Sequence, residues 1–172
     1  MINNYDSHIY FDTNALIKYY RDELGTNNIR NIVTLSEHPI IISPLTIVEF
    51  IGNILRFFRS AKLSKSQLNS IIKRISIDIG PIGTQRKFNI HKFSDDIFTS
   101  SYNLILKHGA IRSIGSYDSM HLSCVLLITN NLPTHMVLVT SDRALKTLCE
   151  KEKVVHYDPE KCRSCLDKIY LD

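Results

Sequence analysis

Four acidic residues stand where a carboxylate meets otherwise apolar sequence. Asp12 closes the run "HIYFD", Asp142 follows "MVLVTS", Glu49 lies in "SPLTIVEF" and Asp118 in "SYDSMHLSCVLL". Taken singly, an aspartate at any of these places reads as readily as an N-cap or a first-turn acid stabilised by the helix dipole. Glu49 lies too far into its helix to cap. If the four converge, their like charges raise one another's pKa, and the ionised cluster needs a counter-cation. Oxygen donors of this kind suit a hard divalent ion, Mg²⁺ or Mn²⁺, held through a few carboxylates and waters with positions left open for a phosphate. Such an ion stabilises charge on a phosphoryl oxygen and lowers the pKa of a bound water.

The elements that carry these acids are readable from pattern. Short branched or aromatic runs at 9–11, 40–42, 136–139 and 154–157 predict strands buried on both faces, and a further short strand is expected at 87–90. Ser43 followed by Pro44 predicts a helix start. Its apolar face is expected to hold Ile47, Phe50, Ile51, Ile54, Leu55 and Phe58. "SKSQ" at 64–67 predicts a capping box, with Leu68, Ile71, Ile72 and Ile75 turned inward. Further helices are expected over 94–107, 116–128 and 142–151, with a loop through "IGPIG". Strands alternating with helices imply an α/β fold: a three-layer α/β/α sandwich around a mainly parallel sheet. Asp12 and Asp142 then end strands at the carboxyl edge, where open α/β sheets place their sites.

A chain of 172 residues with 44% hydrophobic content is expected to form one domain over 1–172. No run approaches the ~20 apolar residues of a membrane span. The start "MINNYDSH" lacks the features of a signal peptide, so a cytoplasmic protein is expected. Cys124 and Cys149 sit in apolar helical patterns and read as small hydrophobes. Cys162 and Cys165 form a single CxxC; with no second pair to complete a zinc site, they read as incidental. The net charge is +4, but from Arg56 to Lys92 nine lysines and arginines face one acid, Asp78. That asymmetry fits a polyanionic partner or, equally, a solvated helical face.

The blocks "YFDTNALI", "SPLTIVEF", "SYDSMHLSCVL" and "LVTSDRALKTLCEKEKVVHYDP", in that order, resemble the four signature blocks of PIN domains, above all the VapC-type toxic ribonucleases of toxin–antitoxin modules. The resemblance runs from His8 to Pro159. It implies a parallel sheet with helices on both sides and Mg²⁺- or Mn²⁺-dependent cleavage of RNA. It also implies an acidic site at Asp12, Glu49, Asp118 and Asp142 that serves as both metal and catalytic centre. Asn14 matches the polar residue two past the first aspartate, and Thr140 or Ser141 the hydroxyl before the last. The resemblance further implies an antitoxin laid across the site and a homodimer paired through helices. Arg56, Arg59 and Lys62 are then the expected contacts to the RNA backbone. His121 is read as a packing or hydrogen-bonding residue outside the site. The loop-rich stretch 80–91, the segment "GAIRSIGSYD" and the tail "EKCRSCLDKIYLD" depart from the shorter toxins.

Three other readings remain on the residues alone. One is an RNA-processing nuclease of the same fold without an antitoxin. The second is a phosphatase with Asp12 as nucleophile, weakened because position 14 is Asn rather than a second aspartate. The third is a non-catalytic RNA- or protein-binding scaffold, weakened because all four acidic positions are occupied.

Overall fold

The computed structural model describes residues 7–80, 86–110, 114–131 and 135–161. In chain order its elements are β1 (His8–Phe11), α1 (Thr13–Tyr20), α2 (Thr26–Leu35), β2 (Ile40–Ile42), α3 (Pro44–Arg59), α4 (Lys65–Asp78), β3 (Phe88–Ile90), α5 (Asp95–His108), α6 (Ser116–Asn131), β4 (Met136–Val139), α7 (Arg143–Glu152) and β5 (His156–Tyr157). All strand pairs are parallel, in the order β3-β2-β1-β4-β5. The chain runs outward from β1 to β2 and β3, then returns to place β4 on the other side of β1. The strand order therefore reverses between β1 and β4, and a crevice opens there at the carboxyl ends.

Side-chain alternation builds the three layers. Ile9, Phe11, Ile40, Ile42, Val137 and Val139 face one side and pack with α1 to α4 through residues such as Leu16, Ile29, Phe50 and Ile71. Tyr10, Ile41, Met136 and Leu138 face the other side and meet α5, α6 and α7 through Ile97, Leu122, Val125 and Leu148. Each fully buried aliphatic or aromatic side chain contributes about 1.5–3 kcal/mol, so the short strands are held from both faces rather than by their ladders alone. No helix among the described residues is long and apolar enough to cross a membrane.

The expected strands and the later helices are present, with β5 shortened to two residues. The Ser43 start carries a capping box, completed by Thr46, and the Ser64 box is closed by Gln67. Two expectations change. Helices α1 and α2 fill the stretch between β1 and β2, which the sequence pattern left unassigned. On α3, Leu55 and Phe58 are each 37% exposed, and Phe57 packs against the core instead. Arg21 lies over the Phe57 ring at 4.5 Å, which helps to fix that side chain. Cys124 and Cys149 are fully buried free thiols. Cys162, Cys165 and the loop at 81–85 lie outside the described residues.

Candidate active site

Three helix N-termini supply three of the four acids. Asp12 leaves the end of β1 and N-caps α1, its Oδ1 accepting from the Ala15 N–H at 2.7 Å. Asp142 follows β4 and N-caps α7, accepting from Ala144 and Leu145 at 2.7 and 3.0 Å. Asp118 lies in the first turn of α6 and accepts from the Gly115 backbone N–H. A Cβ at Gly115 would stand 2.8 Å from Asp118 Oδ2, so a larger residue there would push the carboxylate aside. The capping reading is met at Asp12 and Asp142, and each of the three aspartates sits at the positive end of a helix, which offsets part of the cost of burying its charge.

Thr140 ties two of the acids together. Its buried hydroxyl donates to Asp12 Oδ2 and accepts from the Asp142 backbone N–H at 3.0 Å. Of the two expected hydroxyls, Thr140 is the one engaged; Ser141 is half-buried and makes no hydrogen bond among the described residues. Asn14, in the first turn of α1, is also half-buried and unengaged among them.

Glu49 reaches the same crevice from the second turn of α3. Thr13 Oγ1 donates to its Oε2 at 2.5 Å, and His121 Nε2 lies 3.0 Å from the same oxygen. His121 is buried, one turn along α6 from Asp118, and its Nδ1 lies 3.0 Å from the Tyr10 hydroxyl. Glu49 can only accept, so His121 Nε2–H donates to it, while Nδ1 and the Tyr10 hydroxyl form the second hydrogen bond of the ring. The sequence reads His121 as a packing or hydrogen-bonding residue and does not single out Thr13; both hydrogen-bond to Glu49. Their partners lie 36 and 72 positions away along the chain, so no local spacing reveals them.

The electrostatics separate the acids. Burial pushes the Asp12 carboxyl up to about 6; the charge of Asp142 adds to this, while His121 and the bonds from Thr140 and Ala15 oppose it. Asp118 is likewise raised by burial and then by Asp142, with Glu49 adding to it. Glu49 moves the other way: burial would raise it, but the bonds from His121 and Thr13 hold it below the usual glutamate range. Asp12 and Asp118 thus feel the charge of Asp142, and Asp118 also that of Glu49, yet among the described residues no lysine or arginine pairs with Asp12, Asp118 or Asp142. They do not form a closed cage. Among the described residues no three His, Cys, Asp or Glu side chains are grouped tightly enough to hold a metal ion by themselves.

The expected RNA contacts lie further along α3. Arg56 is exposed on the face of Glu49 and Asn53, two turns on, and donates to Asn53 Oδ1 at 2.5 Å. Arg59 and Lys62 are exposed beyond it, at the end of α3 and just after it. Part of the basic segment is spent on packing. Lys87 donates to the Tyr19 hydroxyl at 2.7 Å and pairs with Asp78, and Arg74 lies 5.1 Å from the Tyr20 ring centre.

An open parallel α/β sheet with an acidic crevice at its strand-order reversal defines the class, and the chain belongs to the PIN domain family, whose model matches residues 9–151. Among solved structures it is similar to FitAcB from Neisseria gonorrhoeae, at 16% identity over 90% of this chain and 99% of that one, with a TM-score of 0.64. It is similar to DNA-bound VapBC from Salmonella typhimurium at 16% identity, covering 88% and 98% of the two chains, with a TM-score of 0.60. The VapC20 toxin of Mycobacterium tuberculosis, described as cleaving the sarcin-ricin loop, matches at 8% identity over 81% and 93%, with a TM-score of 0.58. At such identities the likeness is one of fold. No curated protein matches the chain by sequence.

Proposed function

We propose that this chain is a single-domain, divalent-metal-dependent endoribonuclease and the toxin of a toxin–antitoxin pair. The observation that carries this reading is that Asp142 acts on both Asp12 and Asp118, and Glu49 on Asp118, with no lysine or arginine among the described residues paired to any of the three aspartates. The donors are all hard oxygens, which fits Mg²⁺ or Mn²⁺. An ion that keeps several of its waters does not need a closed protein cage. Asp12, Asp118 and Asp142 would hold the ion, each keeping a lone pair beyond its cap. When bound, the ion supplies a water of lowered pKa and neutralises charge on the phosphate.

The chain's own groups do the rest. Thr140 and the Ala15 N–H fix the Asp12 carboxylate. Thr13 and His121 hold Glu49 ionised through one oxygen, leaving Oε1 without a partner among the described residues to accept a proton or orient a water. Arg56, Arg59 and Lys62 draw the RNA backbone toward the crevice.

Two similar structures are named as complexes, FitAB bound to DNA and VapBC bound to DNA, and they support a small antitoxin as partner. Exposed apolar residues on α3 (Val48, Leu55, Phe58) and α5 (Phe98, Tyr102, Leu106) support pairing of two copies through helices. The test is titration of Mg²⁺ or Mn²⁺ into the purified chain with single-stranded RNA. Cleavage that saturates with metal and stops with EDTA is expected; metal-independent cleavage, or none, rejects the assignment.

A further inference from the structure

A second recess begins where the acid cluster ends. Arg143 is the residue after Asp142. It lines a cavity of about 350 Å³ with His108, Ile114, Thr147, Leu148 and Lys151. Arg143, Thr147 and Lys151 follow one another at i, i+4 and i+8 along α7, a line about 12 Å long. Arg143 and Lys151 are exposed and form no ion pair with the described residues. Ile114 and Leu148 supply apolar surface between them.

His108 is the built part of this recess. It is 8% exposed, and its Nε2 bonds Glu152, which also accepts from Lys107 Nζ at 2.7 Å. The ring is thus fixed with hydrogen on Nε2. Its Nδ1 has no partner among the described residues and in the neutral ring is an acceptor. Apolar surface, a fixed polar atom and flanking cations are what an unpaired base, its edge and its phosphates need. The volume lies at the small end of ligand sites; it admits one nucleotide and excludes a helix.

We propose that this cavity is a subsite for one unpaired nucleotide of RNA next to the acidic crevice. The proposal rests on the ribonuclease reading for its substrate class and goes beyond it in assigning a second, specificity-bearing site on α7. An acidic protein segment would satisfy Arg143 and Lys151 but would leave a ring-sized recess unfilled.

The test uses the full chain in EDTA, so that binding is read without hydrolysis. The probe is a fluorescein-labelled 12-nucleotide single-stranded RNA of random sequence. Thr147→Phe fills the recess and is expected to weaken binding about fivefold or more. Lys151→Glu, on an exposed residue that does not threaten folding, is expected to lower the slope of log K against log salt by at least ~0.7. RNA carrying 4-thiouridine should photocrosslink within 143–151 of the wild type and lose that crosslink in Thr147→Phe. If the wild type cleaves RNA with metal but both variants bind RNA unchanged, the subsite is overturned, the ribonuclease reading stands and the recess passes to a protein partner. Crosslinking at 143–151 without metal-dependent cleavage supports the subsite and rejects the ribonuclease reading. No RNA binding by the wild type overturns both.

Discussion

The described residues contain two partly buried His–Glu pairs, and they are built to opposite ends. His108 and Glu152 join the C-terminal ends of α5 and α7, and Lys107 adds a cation to the same carboxylate. His121 and Glu49 join α6 to α3 at 3.0 Å, but the third group there is the Thr13 hydroxyl, and the surrounding charges are aspartates. In both, the glutamate is held below its usual range against the pull of burial. The pairing is the same; the net charge around it is not. A closed pair ties helices together, whereas a pair left among uncompensated acids keeps attraction for a cation in reserve. An excess of charge over partners among the described residues, more than any single ion pair, is what sets the proposed active site apart.

The sharpest way to break the comparison is Asp12→Asn. The amide keeps the Ala15 cap and can donate to Thr140, but it removes one anion and one metal donor. Cleavage should fall by about a thousandfold or more. The metal-free protein should become more stable at pH 7 by about 2–3 kcal/mol, because a carboxylate raised to about 6 costs that much to ionise in place. Cleavage assays and thermal unfolding in EDTA read both; activity near wild type defeats the site assignment. Next in size is a matched pair of substitutions. Glu49→Gln should lower cleavage tenfold to a hundredfold, with Thr13 and His121 still able to bond the amide oxygen. Glu152→Gln should act mainly on stability, by about 1–2 kcal/mol, through the weakened tie between α5 and α7. Equal losses of activity in the two would erase the distinction drawn between the pairs.

The pH dependence of the metal-free protein sharpens it further. The Asp12 carboxyl titrates higher in the folded state, so its contribution is fully present below its ordinary value of 3.8 and is lost as pH rises through about 6. Glu49 and Glu152 are depressed, so their contribution is present above 4.5 and is lost as pH falls. Stability in EDTA should therefore decline on both sides of mildly acid pH. Asp12→Asn should reduce the decline toward neutral pH, leaving the smaller part that Asp118 contributes and the decline on the acid side, which unfolding midpoints from pH 3 to 8 would show. The smallest expected effect is at the surface. Charge reversal at Arg56, Arg59 and Lys62 should lower the salt slope of RNA binding by ~0.7 per lost contact. Arg56 should matter most, since it shares the Glu49 face of α3. Unchanged slopes would reduce this stretch to a solvated face.

Much of this was legible in the residues. "IYF" and "MVLV" are short branched or aromatic runs that can only be buried strands, and the acid after each falls at the carboxyl edge by construction. Ser43 with Pro44 fixes the start of α3 and so the turn that carries Glu49. What escaped was of two kinds. Helix α1 is buried at seven of its eight positions, Asn14 being the exception, so it has almost no polar stripe for periodicity to find. Helix α2, "TNNIRNIVTL", is built from weak helix formers and is held by the burial of Ile29 and Ile32. The other kind is tertiary. Thr13 and His121 earn their place only by meeting Glu49, and Lys87 and Arg74 leave the basic stretch only because Tyr19 and Tyr20 come to them. No local rule carries that information.

The hydroxyl of Thr140 and the carboxylate of Asp12 are 128 positions apart along the chain, on strands that lie side by side. Synthesis proceeds from the amino end, so Asp12 is made roughly 6–25 s before Thr140 at ~5–20 residues per second. Until β4 inserts beside β1, the first aspartate has neither its bracing hydroxyl nor the neighbouring acid at 142. The helices that flank it can form early, but the crevice cannot. The nascent chain therefore brings its acids together only when nearly all of the fold has been delivered.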